Sequence, residues 1–288
     1  MSKTLKFSLA LICVVCLFVS AMGGYAAAAE VSEQSEEDEL FSVPIYIDGV
    51  HTMNGFMAGG VTYVSIRALS YSLVKDIDIY WDQDTVTAYL TAQGLEITAT
   101  AGEYYIEANN RYLYIPYSII NLNGTMLVPV RELAKVFNLS VSWDPATEAV
   151  HLGTENFAFI ENGDTFYADK DVYWLSRVIN AEANNQPMSG KIGVGNVVLN
   201  RVADPTCPDT VYDVIFDRRY GVQFSVITTG AIYMEPSESS IIAAKICFEG
   251  YETVGDSLYF LNPEISSNSW FERTRTYVTT LGDHAFYA

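Results

Sequence analysis

The sequence predicts an α+β protein in which a small domain of two similar α+β units precedes a mainly helical domain. Three observations point to this arrangement. Half of the 288 residues are apolar, which is enough to bury at least one sizeable core. Residues 43–152 repeat themselves, and a helical apolar pattern begins near residue 171. We expect domains at 43–152 and 167–288, with residues 153–166 as a linker between them.

The N-terminus has the layout of a secretory signal peptide. A short basic start precedes an apolar run from Phe7 to about Val19, and small residues continue up to Ala29. We expect residues 1–29 to be removed on export. A membrane anchor is the alternative, although the apolar run is shorter than the ~20 residues that span a bilayer. Residues 30–42 are rich in Asp and Glu and predict a solvated acidic linker. The expected location is secreted, either extracellular or associated with the cell wall.

The net charge bears on the class of binding partner, and the cysteine content bears on disulfide bonding. The formal net charge of -19 disfavours nucleic acid, because phosphate binding needs clustered Lys and Arg. Removal of the signal peptide leaves Cys207 and Cys247, for which a disulfide and two buried thiols are equally open alternatives. The oligomeric state stays open.

The repeat consists of two similar segments displaced by 64 residues. Gly60 to Leu69 (GVTYVSIRAL) reappears as Gly124 to Leu133 (GTMLVPVREL). Each copy continues to a Trp-Asp pair, which is Trp81-Asp82 in the first copy and Trp143-Asp144 in the second. Each unit therefore predicts a glycine turn, a short strand, a helix and a closing strand after the Trp.

This repeat resembles the copper amine oxidase N-terminal-like domain over essentially all of residues 43–152. The resemblance implies a module of secreted Gram-positive proteins, which we interpret as a wall-facing spacer or binding module. Its two histidines, His51 and His151, do not have the spacing of a copper site, so we expect no metal and no cofactor. Arg67 and Arg131 recur at matching places, where we expect them to satisfy buried carbonyls or carboxylates.

A carboxylate lies on the apolar face of the helix predicted for residues 171–183. Leu175 and Val178 share that face, and Glu182 continues it. Pro187 cannot extend the helix, so Glu182 lies on its last turn beside a loop. Apolar surroundings and the negative end of the helix dipole should both raise the pKa of Glu182. The alternative is an ordinary Glu whose carboxylate reaches solvent.

An ordered series of motifs runs through residues 167–288. The motifs are Arg177 to Ala183 (RVINAEA), Gly195 to Val202 (GNVVLNRV), Thr210 to Phe216 (TVYDVIF), Gln223 to Ser225 (QFS), Leu258 to Pro263 (LYFLNP), Trp270, and Gly282 to Phe286 (GDHAF). Together they resemble the SleB-type spore cortex-lytic, cell-wall hydrolase family. The resemblance implies a lysozyme- or lytic-transglycosylase-like domain that cuts peptidoglycan glycan strands between N-acetylmuramic acid and N-acetylglucosamine, with Glu182 as the catalytic acid.

The reaction route depends on the number of carboxylates. Hydrolases of this bond usually employ two, whereas a lytic transglycosylase can work with one because the C6 hydroxyl of the substrate attacks. We name no second catalytic group, and we expect a lytic transglycosylase, with spore cortex as one target. A non-catalytic peptidoglycan-binding wall protein is the alternative function.

Substrate contacts are predicted from amides, a hydroxyl and aromatic rings in the later motifs. The predicted substrate-binding residues are Gln223, Phe224, Ser225, Tyr259, Asn262 and Trp270. Aromatic faces suit sugar rings and amides suit N-acetyl groups, although each ring has the alternative of being a core side chain. His284 is expected to have a hydrogen-bonded structural role. After Glu182 the family typically has Ala-Arg-Gly-Glu, whereas this chain has Ala-Asn-Asn-Gln at 183–186.

Overall fold

The structure is a computed structural model that describes residues 41–265 and 273–288. The predicted signal peptide, nearly all of the acidic linker and Trp270 lie outside the described residues. Among the described helices, none has both the length and the apolar character that a membrane crossing requires.

The first part of the described chain, residues 41–162, consists mainly of strands. In chain order its elements are β1 Phe41–Ile47, β2 Val50–Ala58, β3 Val61–Ser65, α1 Ile66–Leu73, β4 Asp78–Asp82, β5 Thr87–Ala92, β6 Leu95–Thr100, β7 Tyr105–Ala108, β8 Arg111–Tyr114, β9 Ile120–Leu122, β10 Thr125–Pro129, α2 Val130–Val136, β11 Ser140–Asp144 and β12 Ala149–Gly153. One sheet has the order β11-β12-β1-β2-β3-β10-β9, and the other has the order β4-β5-β6-β7-β8. Apolar side chains from both sheets and both helices form one core.

The two repeat units meet at equivalent residues. Val64 of β3 pairs with Val128 of β10 in an antiparallel register, and these residues are separated by the same 64 positions as the sequence repeat. A local two-fold axis therefore passes between them. The predicted order of strand, helix and strand is present in both units, as β3-α1-β4 and β10-α2-β11. The closing strands of the two units belong to different sheets: β4 is in the five-stranded sheet and β11 is in the seven-stranded sheet.

Arg67 and Arg131 do not have the buried role that we expected. Both side chains are exposed to solvent. Each is the second residue of a short helix, and the buried positions of those helices lie on the opposite face, as Leu69 and Leu133 do. The expectation that these arginines satisfy buried groups is therefore wrong.

The second part, residues 163–288, is mainly helical. Its elements are α3 Gly163–Phe166, α4 Asp169–Ala183, α5 Met188–Ala203, α6 Val211–Ile215, α7 Val226–Thr229, a 3-10 turn Ala231–Tyr233, α8 Glu238–Phe248, β13 Tyr259–Leu261, β14 Tyr277–Leu281 and β15 His284–Tyr287. The three strands form an antiparallel sheet with the order β13-β15-β14. A second apolar core joins the helices to this sheet. The predicted α+β class is confirmed.

Glycines let helix α5 approach its neighbours closely. A Cβ atom on Gly195 would lie 2.5 Å from Cys247 Sγ of α8 and 3.0 Å from Ile179 Cδ1 of α4. Without side chains at such positions, α4, α5 and α8 pack into one unit that supports the end of α4. Cys247 is buried in this contact, and both Cys247 and Cys207 are free thiols. The structure therefore has no disulfide between Cys207 and Cys247.

Residues 153–166, the predicted linker, lie against the first part of the chain. Ile160 donates its backbone N–H to Val136 O at 2.9 Å, and its own carbonyl accepts from Asn109 Nδ2 at 2.9 Å. Gly163 N donates to Asn109 O at 2.8 Å, and the Phe159 ring contacts Phe137 with centroids 6.3 Å apart. Backbone and side-chain hydrogen bonds and a ring contact therefore hold this segment against the first part of the chain.

Candidate active site

Glu182 is the second-to-last residue of helix α4. Leu175, Val178 and Ile179 are fully buried and attach the helix to the second core. Glu182 is half-buried, which agrees with its place at the end of this apolar face. Asn184 follows as the C-cap residue, so the carboxyl lies next to the loop that joins α4 to α5.

The surroundings of Glu182 favour its protonated form. Burial raises the pKa of Glu182 from its ordinary 4.5 to about 7, and burial is the one cause of the shift among the contacts of the described residues. A carboxyl without a compensating charge loses hydration when it ionises, so the neutral form persists to higher pH. The group is thus poised to release a proton near neutral pH.

Three other carboxylates of the helical part, Asp204, Asp217 and Glu235, have surroundings that differ from those of Glu182. Hydrogen bonds from Thr206 lower the pKa of Asp204, and hydrogen bonds from Arg219 lower the pKa of Asp217. Glu235 accepts from Arg177 Nη2 at 2.8 Å, and its side chain is 83% exposed. Each of these groups is stabilised as an anion or open to water, unlike the carboxyl of Glu182.

The loop after Glu182 is tied to the turn between β14 and β15. Gln186 Nε2 donates to Asp283 Oδ2 at 3.0 Å, and Asp283 N donates to Gln186 Oε1 at 2.9 Å. Gln186 N also donates to Ala183 O at 3.0 Å, which closes the turn that follows α4. The small sheet therefore lies beside the end of the helix that carries Glu182.

The end of α4 is also hydrogen-bonded to the residue that precedes α8. Asn180 and Asn184 flank Glu182, and both accept hydrogen bonds from Ser237, which precedes α8. Ser237 N donates to Asn180 Oδ1 at 2.9 Å, and Ser237 Oγ donates to Asn184 Oδ1 at 3.0 Å. Hydrogen bonds thus hold both the last turn of α4 and the loop that follows it.

The QFS motif lies between the turn at Gly221 and helix α7. Gln223 is partly buried and donates from Nε2 to Gly221 O at 3.2 Å, while Ser225 is exposed. Phe224 is 2% exposed and packs in the second core, with its ring centroid 6.4 Å from that of Phe260. A ring with so little accessible surface offers no face to a sugar, so this geometry corresponds to the core alternative for Phe224.

The LYFLNP motif places Tyr259 on β13 and Asn262 just after it. Tyr259 is partly buried, and its ring lies 5.3 Å from the guanidinium carbon of Arg201 and 4.3 Å from that of Arg275. The Arg201 guanidinium is also 5.3 Å from the Phe224 ring. Arg201 therefore contacts both the QFS motif and the LYFLNP motif. Asn262 Oδ1 accepts from Glu264 N at 2.9 Å and thereby shapes the following turn.

Sequence reasoning missed the contacts of three side chains. Nothing marked Gln186 and Asp283 as partners, because 97 positions separate them. His284 was expected to be hydrogen-bonded, yet it is 7% exposed and its Nδ1 has no partner among the described residues. Burial lowers the pKa of His284, so its ring is held neutral. Within the same described ranges, no group of three or more His, Cys, Asp or Glu side chains is arranged to hold a metal ion.

Comparison with known proteins assigns the two parts of the chain to families. Residues 185–287 match the family described as Cell Wall Hydrolase. Residues 185–287 are therefore a cell wall hydrolase domain. Residues 46–152 match the Copper amine oxidase N-terminal domain, so both predicted resemblances are confirmed. The cell wall hydrolase match begins three positions after Glu182, and the predicted acid itself therefore lies just outside the matched range.

Two curated proteins that are similar to this chain are named spore cortex-lytic enzymes. The chain is 31% identical over 120 residues to the spore cortex-lytic enzyme of Bacillus cereus, covering 42% of this chain and 45% of that enzyme. It is 32% identical over 120 residues to the spore cortex-lytic enzyme of Halalkalibacterium halodurans, covering 42% of this chain and 35% of that enzyme. The chain thus spans less than half the length of these curated relatives.

A solved structure gives a similar match. It is the catalytic domain of the germination-specific lytic transglycosylase SleB from Bacillus anthracis, at 30% identity. The match covers 45% of this chain and all of that domain, with a TM-score of 0.39.

Proposed function

We propose that this cell wall hydrolase is a peptidoglycan-cleaving glycosidase that cuts between N-acetylmuramic acid and N-acetylglucosamine as a lytic transglycosylase. Glu182 is the proposed catalytic acid. The observation that carries the proposal is the half-buried position of Glu182 at the end of α4, where burial raises its pKa to about 7. A carboxyl in that state can hold a proton until a glycosidic oxygen accepts it.

In the proposed reaction Glu182 acts first as an acid and then as a base. Its proton passes to the glycosidic oxygen, the bond from that oxygen to C1 of N-acetylmuramic acid breaks, and the N-acetylglucosamine side leaves with a free hydroxyl. The C6 hydroxyl of the same N-acetylmuramic acid attacks C1, and its proton returns to the Glu182 carboxylate. The product is an anhydro sugar, and no water is consumed.

The one-carboxylate route is supported by the surroundings of the other acids. A second catalytic carboxylate in a hydrolase must face the sugar and either attack it or activate water. Asp204 and Asp217 are instead engaged with Thr206 and Arg219. The name lytic transglycosylase carried by the Bacillus anthracis relative supports the same route.

We also propose a spore cortex target and an exported location. The spore cortex-lytic relatives support the cortex as substrate, and the layout of residues 1–29 supports export to the cell wall or medium. Residues 43–152 are the proposed wall-facing module and residues 167–288 the proposed catalytic domain, joined by 153–166. The proposed substrate contacts in the described residues are Gln223, Ser225, Tyr259 and Asn262.

The test is digestion of purified sacculi by the wild type and by Glu182→Gln. We expect the variant to release no muropeptides while it keeps its fold, and the exposed Glu252→Gln to act like the wild type as a matched control. Mass spectrometry should find products lighter by one water than hydrolytic ones. Release by Glu182→Gln would overturn the proposed role of Glu182. Wild-type binding to sacculi without release would instead support a non-catalytic binding protein.

A further inference from the structure

A cavity of about 290 Å³ lies between helices α3, α4 and α8. Arg177 and Asp169 of α4 both line it, and they are eight positions apart, which is about 12 Å along the helix axis. Val172 of α4 and Ile241 of α8 add apolar surface to its wall. Its volume is at the small end of the range for ligand sites. Glu182 is not among its lining residues, so this cavity is a separate site from the proposed acid.

Arg177 is buried in the wall of this cavity, yet it uses few of its hydrogen-bond donors. The residue is 7% exposed. Its Nη2 donates to Glu235 Oε2 at 2.8 Å, which is the one side-chain hydrogen bond that it makes within the described residues. Its buried Nε has no partner in the same part of the chain. Because a guanidinium carries several N–H donors and binds carboxylates strongly, Arg177 has the capacity to bind a further carboxylate.

The present partner of Arg177 is a side chain in solvent. Glu235 has a side chain that is 83% exposed, whereas that of Arg177 is 9% exposed. The Arg177 guanidinium carbon lies 3.8 Å from the centroid of the Tyr173 ring, which fixes the plane of the guanidinium. Water can solvate the Glu235 carboxylate when it moves away, whereas the buried cation still needs an anion. Glu235 therefore occupies a position that the carboxylate of a ligand can take.

The charges at the opposite end of the cavity narrow the choice of ligand. Asp169 is exposed there, and Asp164 and Lys245 also line the cavity. Lys245 Nζ already donates to Asn110 Oδ1 at 2.7 Å. Two carboxylates beside one engaged cation repel a chain of phosphate groups and attract an ammonium group. A ligand with a carboxylate followed by an ammonium group matches this pattern, as a short peptide that contains a diamino acid does.

We propose that this cavity binds the peptide stem of peptidoglycan, with a stem carboxylate on Arg177. This inference rests on the proposed function, because the stem is attached to N-acetylmuramic acid, the sugar on which Glu182 is proposed to act. Arg177 is the end nearer Glu182, five positions away on α4 and about 7.5 Å along its axis. Each extended residue adds about 3.4 Å, so a stem of a few residues reaches from that sugar into the cavity. Stem binding then directs cleavage to glycan sites that carry peptides.

Binding of a free stem peptide tests the proposal without any cleavage step. Isothermal titration calorimetry of the full chain should detect a wall tetrapeptide, and the same peptide with amidated carboxylates should bind about tenfold or more weakly. Arg177→Gln should weaken binding of the tetrapeptide by a similar factor, because a neutral amide does not pair with a stem carboxylate. Inorganic phosphate is the second probe and should not compete. Phosphate that binds as tightly as the tetrapeptide would overturn the assignment to a peptide.

The variant Glu235→Gln separates a ligand site from a structural ion pair. Both Arg177→Gln and Glu235→Gln break the same ion pair, so a purely structural role predicts similar effects of the two. A ligand site predicts opposite effects, because Glu235 competes with the ligand carboxylate for Arg177. Glu235→Gln should therefore bind the tetrapeptide about threefold or more tightly than the wild type does. Equal weakening by both substitutions would overturn the proposal, as would a wild type that does not bind the tetrapeptide.

Two further variants control for the location of the site and for loss of fold. Val172→Phe fills the cavity and leaves the Arg177–Glu235 pair in place, so it should weaken tetrapeptide binding by about tenfold even if Arg177→Gln does not fold. Arg219→Gln breaks an ion pair outside the cavity, at 3.0 Å from Asp217, and should bind like the wild type. Unchanged binding by Val172→Phe would overturn the cavity as the site.

The same titration separates this inference from the proposed function. Glu182→Gln should bind the tetrapeptide as the wild type does, because Glu182 does not line the cavity. Release of muropeptides by Glu182→Gln would contradict the proposed catalytic acid and leave peptide binding as it is. Loss of tetrapeptide binding in Glu182→Gln, with the fold intact, would instead contradict a separate peptide site.

Discussion

Arg111 of β8 and Glu249, just after α8, form a two-point ion pair between the two parts of the molecule. Arg111 Nε and Nη2 lie 2.8 Å and 2.6 Å from the two carboxylate oxygens of Glu249, whose side chain is 3% exposed. Tyr167 donates its hydroxyl to Glu249 at 2.5 Å, and Phe166 lies under the Arg111 guanidinium at 3.5 Å. The repeat units are therefore docked on the helical part, which argues against a freely moving spacer.

This ion pair should contribute strongly to stability, because removal of one partner leaves a buried charge without compensation. We expect Glu249→Leu to lower the free energy of unfolding by roughly 3 kcal/mol, measured by urea denaturation. Asp217→Asn breaks the more exposed pair with Arg219 at 3.0 Å and should change stability far less. Equal effects of the two substitutions would contradict a dominant role for the Arg111–Glu249 pair.

The raised pKa of Glu182 predicts a pH-dependent stability. Between about pH 4.5 and about pH 7 the folded state holds a proton that the unfolded state has released, so stability falls as pH rises through this window. The loss should amount to about 3 kcal/mol and be complete above about pH 7. The glutamine of Glu182→Gln cannot ionise, so this variant should not show the loss of stability. Urea unfolding of both proteins at about pH 5 and about pH 8 measures the difference, and parallel curves would contradict the burial of this carboxyl.

Phe224 should behave as a core residue in stability measurements. Phe224→Ala should lower the free energy of unfolding by about 3–5 kcal/mol, because it leaves a cavity beside Phe260. Phe224→Leu should recover much of that loss and keep the affinity for sacculi, measured by pull-down at a temperature where it is folded. A stable Phe224→Leu protein that no longer binds sacculi would restore the original prediction of a substrate contact.

The candidate site illustrates which features local sequence can predict. The apolar spacing predicted a helix over 171–183, and the structure has α4 at Asp169–Ala183 with Glu182 on its last turn. Similar local patterns predicted the order of elements in each repeat. Such features depend on neighbours within a few residues, so periodicity and helix-ending residues are sufficient to find them.

What the sequence determined by itself was therefore the class of the fold, the helix that presents Glu182 and the similarity of the two repeats. The tertiary structure alone decided that Phe224 is buried, that Gln186 meets Asp283, and that Arg111 meets Glu249 across 138 positions. The physical reason is that periodicity shows which face of an element is apolar. It does not show which distant element covers that face, and burial, pKa and ion pairing all depend on that neighbour.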